Sequence, residues 1–284
     1  MTPPAPLPPL NIPELLRRHG LRPKKSLGQN FLIDPAALQR VIQAGNPQAH
    51  EAVLEIGAGL GSLTRLLALQ ARRVVAVEID QRLIPLLKQV TAPFSNVKII
   101  HADILKIDPA KLFASPYLVI ANIPYYITSA IIRHLLESPA PPSRLVLTVQ
   151  QEVAERICAQ PPRMNLLALS VQVYGRPTIA TRIPAGAFYP PPKVDSAVVQ
   201  VDLLSEPRIP KEELALLFRL AKAGFGQKRK TLRNALSAGM GWDKDRAGRT
   251  LQAAEIDPQR RAQTLALSEW ERLVKATRQA QQSW

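Results

Sequence analysis

The feature that most constrains this chain is residues 52–67, AVLEIGAGLGSLTRLL. Ala52–Ile56 reads as a buried strand, Gly57-Ala58-Gly59-Leu60-Gly61 as a turn, and Leu63, Leu66 and Leu67 as one face of a helix. A strand, a glycine-rich turn and a helix make a ligand-binding βα unit. Glycines let the backbone take positive φ and approach a ligand closely. The helix start then offers unpaired N–H groups and a positive dipole end. Such turns also arise for geometric reasons alone, so the segments that follow decide.

Three more strands recur at regular spacing. Arg73–Ile79 carries Glu78 near its end, Val97–Ile100 is followed by Asp103, and Tyr117–Ala121 runs into Asn122-Ile123-Pro124-Tyr125-Tyr126. Helical patterns at Gln81–Gln89 and Ser129–Glu137 alternate with them, and Arg144–Val149 is a fifth strand. This alternation predicts an α/β fold with a parallel sheet and right-handed crossovers. Upstream, residues 1–13 are proline-rich and expected to be disordered or extended. Pro13–His19 reads as a short helix, and Asp34-Pro35 opens another that runs to about Ala44. Downstream, apolar Asn165–Tyr174 fits a helix better than a strand. Pro177–Ile183 and Ser196–Val201 suggest an antiparallel hairpin added to the sheet, with stiff polyproline-like backbone at Phe188–Val194 between them. From Lys211 only helical periodicity remains, at Glu212–Ala223, Lys230–Ala238, Lys244–Ala253 and Ser268–Gln279. The expected domains are an extension over 1–21, an α/β domain over 22–206 and a helical domain over 207–284.

The net charge of +15 suggests a polyanionic partner, nucleic acid before membrane, against the plainer alternative of solubility. Its distribution favours the partner. Residues 1–33 carry a net +4 and residues 205–284 a net +7, whereas the 171 residues between them carry only +4. A near-neutral catalytic body with basic grips at both ends is expected. Candidate nucleic-acid contacts are Arg22, Lys24 and Lys25 in the N-terminal loop, and Lys228, Arg229, Lys230 and Arg233 at the start of a helix. No apolar run reaches membrane-span length, and the N-terminus lacks the pattern of a secretory signal, so a cytoplasmic location is expected. The lone Cys158 and four scattered histidines suggest neither a disulfide framework nor a metal site. Nothing suggests more than a monomer.

In a doubly wound sheet, ligands sit beyond the carboxyl ends of the strands. Gly57, Glu78, Asp103 and Asn122 would share that edge. Glu78 lies 21 residues past Gly57, where a carboxylate reaches a ribose diol. A dinucleotide enzyme would use the same acid. The loop, however, reads G-A-G-L-G-S rather than G-x-G-x-x-G. That disfavours a diphosphate cradle, and Asp103 could accept from the exocyclic amine of an adenine. S-adenosylmethionine is therefore favoured over a nicotinamide dinucleotide. Asn122-Ile123-Pro124-Tyr125 suits methyl transfer to the exocyclic amine of adenine. The Asn122 side-chain oxygen and the Ile123 carbonyl could accept its two N–H groups. Pro124 fixes φ and removes a competing donor, and Tyr125 offers a stacking face.

Six segments, GQNFL, EIGAGLG, EID, NIPYY, FYPPPKVDSAVV and FGQKRKTLRNAL, together resemble the ribosomal RNA adenine N6-dimethyltransferases, in particular the housekeeping small-subunit (KsgA-like) type, over about Lys24 to Leu265. The resemblance implies a Rossmann-like seven-stranded methyltransferase sheet with a small helical domain. It implies S-adenosyl-L-methionine as cofactor, and dimethylation of two adjacent adenosines in the 3′-terminal hairpin of small-subunit rRNA during ribosome assembly. By its motifs Asn30 and Leu32 would contact the methionine end of the cofactor, Gly57 would lie against it, Glu78 would hold the ribose and Asp103 the adenine. Asn122 would serve cofactor and target, and Tyr125 and Phe188 would sandwich the target base. The chain departs from the family pattern at Arg163-Met164-Asn165-Leu166 and at Ala168. Rival readings are a large-subunit rRNA methyltransferase of the antibiotic-resistance type, a DNA N6-methyltransferase, a non-catalytic assembly factor and a nicotinamide-dependent oxidoreductase.

Overall fold

The computed structural model describes residues 7–114 and 116–282. The expectation for residues 1–6 lies outside that range. The chain divides into two compact units: residues 1–154 with 178–203, and residues 155–177 with 204–284.

The first unit is built on a seven-stranded sheet. Its strands are β2 (Ala52–Ile56), β3 (Arg73–Glu78), β4 (Val97–His101), β5 (Tyr117–Asn122), β6 (Arg144–Gln150), β7 (Gly175–Ile183) and β9 (Ser196–Leu203). A separate two-residue pair joins β1 (Phe31–Leu32) to β8 (Phe188–Tyr189). The sheet order is β4-β3-β2-β5-β6-β9-β7. The first five strands are parallel, and β9 runs antiparallel to β6. Every residue of β2 is buried, as a strand covered on both faces requires.

The order reverses between β2 and β5. From β2 the chain winds outward to β3 and β4, then returns to β5 on the other side. Loops leaving adjacent strands part at such a switch point and leave a crevice. Register fixes who meets there: Ile56 pairs with Val77, Glu78 with His101 and Asn122 with Thr148.

Helices α2 (Pro35–Gly45) and α3 (Ser62–Gln70) pack Val41, Ile42, Leu63 and Leu67 onto β-strand residues Val53, Leu118 and Val146. Asp34 caps α2 by accepting from the Ala37 N–H at 2.6 Å, with Pro35 in the first turn, as expected. Short α1 (Ile12–Arg18) buries Ile12 and Leu16 against Phe31, Leu60 and Leu83. It thereby ties β1 to the glycine turn. Helices α4 (Ile84–Thr91) and α5 (Thr128–Leu136) follow β3 and β5, and α6 (Gln151–Ile157) follows β6.

The second unit gathers α7 (Leu166–Gln172), α8 (Leu214–Gly226), α9 (Leu232–Met240), α10 (Lys244–Ala253) and α11 (Leu267–Gln282). Trp270 is fully buried at its centre, with Phe225 5.4 Å away between ring centroids. A Cβ at Gly239 would come within 2.5 Å of the Ala223 Cβ, so glycine there permits the close crossing of α8 and α9. The contiguous 22–206 domain needs correction. Residues 155–177 join the helical unit because Leu169 and Val173 pack into the core of Leu217, Leu220 and Trp270. No described helix is long and apolar enough to cross a membrane.

Candidate active site

Gly57, Gly59 and Gly61 all adopt positive φ, at 74°, 58° and 87°. The turn they make is held from β3. The Gly57 N–H donates to the Val77 carbonyl at 2.8 Å, and the Gly59 N–H donates to Glu78 Oε2 at 2.7 Å. The Asp80 N–H donates to Glu78 Oε1 at 2.8 Å. Glu78 is only 5% exposed. Burial is the largest influence on its carboxyl and raises the pKa, and the two backbone N–H groups partly offset that. A carboxylate with each oxygen accepting one bond still has lone pairs for a diol.

Opposite the glycine turn, Asn122 ends β5. Its Nδ2 donates to the Asn30 carbonyl at 2.9 Å, and Asn30 Nδ2 donates to the Gly28 carbonyl at 3.3 Å. That leaves Asn122 Oδ1 without a hydrogen-bond partner among the described residues. Pro124 sits at φ −60°, in the extended region, and begins a 3₁₀ turn at Tyr125–Ile127. The Tyr125 hydroxyl and Ser196 Oγ are 2.7 Å apart. Burial raises the Tyr125 pKa, partly offset by Ser196, so the phenol stays protonated.

These elements enclose an open cleft of about 520 Å³, counting the solvent at its mouth. Asn30, Gly57, Glu78, Asn122, Pro124 and Tyr125 of the expected set line it. The fit to a nucleoside-bearing cofactor rests on what glycine leaves open. A Cβ at Gly57 would lie 3.4 Å from the Asn122 carbonyl oxygen, and one at Gly59 would lie 3.0 Å from the Phe31 ring. The cleft therefore depends on bare backbone on one wall and offers a carboxylate and an amide oxygen on the others.

Other expected residues are placed differently. Asp103 follows the tip of β4, beside β3, but does not line the cleft; its Oδ1 caps a turn by accepting from the Leu105 N–H at 3.0 Å. The Leu32 side chain is buried in the core beneath α2, since β1 turns it inward. Phe188 is 2% exposed and packs in the same core, so its ring is covered rather than an open stacking face. The reason is the pairing of Leu32 with Phe188 in β1–β8, which draws both side chains inward.

The basic candidates also sort by structure. Arg22 and Lys25 are exposed, whereas the Lys24 Nζ lies 3.8 Å from Asp80 Oδ1. Lys228, Arg229 and Lys230 are exposed in the turn before α9 rather than at a helix start, because Thr231 is the cap. Arg233 is committed within its own unit: its Nε donates to the Lys244 carbonyl at 3.0 Å, and its Nη2 donates to Asp245 Oδ1 at 3.3 Å.

Three groups of residues, several of them inside the GQNFL, EIGAGLG and EID segments, take roles that the sequence did not assign to them one by one. Leu27, Gly28, Gln29, Phe31, Gly59 and Ile79 also line the cleft. Asp80 is a hub, accepting from Arg82 Nη2 at 2.6 Å and Gln29 Nε2 at 2.9 Å. The Arg82 guanidinium, chiefly, holds its carboxyl down at about 2. The acidic D in the EID segment was the available signal. Glu55, in β2, is 1% exposed. Burial, the largest influence, pushes its carboxyl up to about 8, and the charge of Glu78 adds to that. No group of His, Cys, Asp and Glu among the described residues could hold a metal.

The sequence profile of the family described as ribosomal RNA adenine dimethylase matches residues 20–275. A ribosomal RNA small subunit methyltransferase A from Dehalococcoides mccartyi is 44% identical over 262 residues, spanning 92% of this chain and 90% of that protein. The protein of that name from Alkaliphilus metalliredigens is 42% identical over 269 residues, spanning 92% and 94%. Among solved structures, the 23S rRNA methyltransferase ErmE superposes with a TM-score of 0.72 at 27% identity, covering 87% of this chain and 99% of that one. A dimethyladenosine transferase from Plasmodium falciparum gives 0.73 at 26%, covering 88% and 98%. With the profile matching residues 20–275 and a relative 44% identical over 92% of its length, the chain belongs to the ribosomal RNA adenine dimethylase family.

Proposed function

We propose that this protein transfers methyl groups from S-adenosyl-L-methionine to the N6 amines of two adjacent adenosines in the 3′-terminal hairpin of small-subunit rRNA. It acts as a monomer on an immature ribosomal subunit. The observation that carries the reading is Asn122. Its amide nitrogen is spent on the Asn30 carbonyl, which leaves its oxygen as the free acceptor of a residue that lines the cleft.

When bound, the cofactor supplies an electrophilic methyl group on a sulfonium. The chain's residues hold it and present the target. Glu78 binds the ribose hydroxyls through its remaining lone pairs, and the Gly57 turn gives the backbone approach. Asn30 and the main chain at Leu32 take the methionine end, and Asp103, outside the lined cleft at the tip of β4, reaches the adenine edge with the oxygen that its turn cap leaves free. The adenosine N6 is planar because its lone pair is delocalised into the ring. Asn122 Oδ1 and the Ile123 carbonyl accept its two hydrogens and favour the tetrahedral geometry of attack. Pro124 has no N–H to compete for those acceptors. The amine loses a proton after the transfer, so water suffices as the base. Fixed placement of the amine contributes much of the acceleration. Tyr125, tethered by Ser196, supplies the face on which the extruded base rests. Phe188, being covered, positions β1 and with it Asn30, and we assign it that role in place of a second stacking face.

The relatives' names favour the small subunit over the large. Labelled cofactor incubated with each immature subunit tests this. Mass spectrometry should find two neighbouring dimethyladenosines in small-subunit rRNA; label confined to the large subunit overturns the assignment.

A further inference from the structure

Two tyrosines leave β5 in succession, and the structure treats them oppositely. Tyr125 is half-buried, tied to Ser196 and lines the cleft. Tyr126 is 62% exposed, and its hydroxyl has no partner among the described residues. They occupy consecutive positions of a 3₁₀ turn, whose three residues per turn point neighbours about 120° apart. One ring therefore faces the cleft and the other stands at its rim.

The exposed ring is nevertheless placed. Gly28 takes φ +60°, and a Cβ there would lie 3.3 Å from Tyr126 Cδ1, Tyr126 Cε1 and Pro124 Cβ. Glycine at 28 lets the tyrosine lie against the backbone of the N-terminal loop. Lys25, exposed, precedes Gly28 by three residues in that loop. Ile79, 46% exposed, lines the same cleft. An uncovered aromatic face packed on a loop that also carries an exposed cation suits single-stranded nucleic acid, which such sites bind by stacking a base and holding its phosphate.

We propose that Tyr126 stacks the nucleotide next to the target adenosine, with Lys25 on the intervening phosphate. The assignment rests on the function proposed above. Extruding one of two adjacent adenosines strips its neighbour of a stacking partner. Tyr126 replaces that partner, so the two successive rings take two successive bases. It is a substrate-positioning residue and takes no part in the chemistry.

The test uses the full chain, with immature small subunits for the kinetics and, for binding, an RNA hairpin carrying the two adjacent adenosines. A second hairpin has 2-aminopurine in place of one of them, so that stacking quenches its fluorescence. Tyr126→Ala should raise the KM for RNA by roughly 5- to 100-fold, the span expected for losing one base-stacking aromatic. Its kcat at saturating RNA, its affinity for cofactor and its Tm should stay near wild type. Tyr126→Phe and Tyr126→Trp should restore the KM, and the quench seen with wild type should vanish in Tyr126→Ala. An unchanged KM and quench in Tyr126→Ala, with active wild type, overturns the stacking role alone. A wild-type protein that methylates neither hairpin nor immature subunit overturns the function on which it rests, and the stacking role with it.

Discussion

In the strand-tip cleft the functional side chains are already spoken for. Gly59 and Asp80 hold Glu78, Asn30 holds Asn122, and Ser196 holds Tyr125. In the helical unit Lys228, Arg229 and Lys230 stand exposed in a turn, with no side-chain partner among the described residues. The difference follows from what each must do. Positioning an amine for attack needs atoms fixed to a fraction of an ångström, and buried hydrogen bonds supply that. Gripping a phosphate backbone needs charge without register, and solvated cations supply it through released counterions. One region should respond to mutation by losing rate or cofactor, and the other by losing salt-dependent affinity.

The sharpest break of this contrast is Asn122→Ala. Removing a preorganised partner of the reacting group typically costs about 10²–10³ in rate. We expect kcat to fall by about that factor, more than cofactor affinity changes. Single-turnover methylation checks it, and unchanged product formation would remove Asn122 from the chemistry. Glu78→Ala comes next. It removes charge-assisted bonds worth about 1.5–3 kcal/mol, so cofactor binding by calorimetry should weaken about 10- to 100-fold. RNA affinity and its salt slope should be unaffected.

Replacing Lys228, Arg229 and Lys230 together by alanine should act the other way. The slope of log affinity against log salt should fall by about 2, from three phosphate contacts at about 0.7 each. Cofactor affinity should stay unchanged. Arg233 sharpens the comparison from within the same unit. It lies in the same basic stretch, but it ties α9 to the Lys244 carbonyl and Asp245. Arg233→Ala should lower Tm by a few degrees and leave the salt slope alone. The opposite result would return Arg233 to the RNA-contacting set.

Much of this was legible before the fold was known, for a physical reason. Parallel strands buried on both faces are long apolar runs, and the residues that end them stand out. Gly57, Glu78 and Asn122 were found that way, and the register brings them to one edge. What failed depended on pairings distant in sequence. β1 and β8 are two residues each, too short to show alternation, and lie more than 150 residues apart. Nothing local tells that Leu32 and Phe188 turn inward there. The run around Leu169 is apolar enough for either unit, and only packing against Leu217 and Trp270 assigns it. The basic run Lys228–Lys230 resembles a helix start because it leads without a break into a helical period, whereas the cap is Thr231. Glu55 carries no signal in one dimension, because its role depends on burial among neighbouring strands.

That acid yields the smallest effect and the cleanest sign. Glu55 Oε2 and the Thr64 hydroxyl are buried without hydrogen-bond partners. The Glu55 carboxyl, ordinarily near 4.5, is pushed up to about 8 in the fold, first by burial. A group whose folded pKa is raised stabilises fully below its unfolded pKa. Between about 4.5 and 8 the unfolded chain releases the proton while the fold retains it, so stability declines with rising pH across that window and levels above it. Glu55→Gln cannot titrate. The Tm difference, variant minus wild type, should therefore climb from pH 4.5 to a plateau above pH 8, by a few degrees for a chain of this size. Any fixed cost of burying the amide shifts the whole curve without altering its slope. A flat or falling difference would mean that Glu55 is ionised in the fold. The strand that leads into Gly57 would then carry a buried charge beside Glu78.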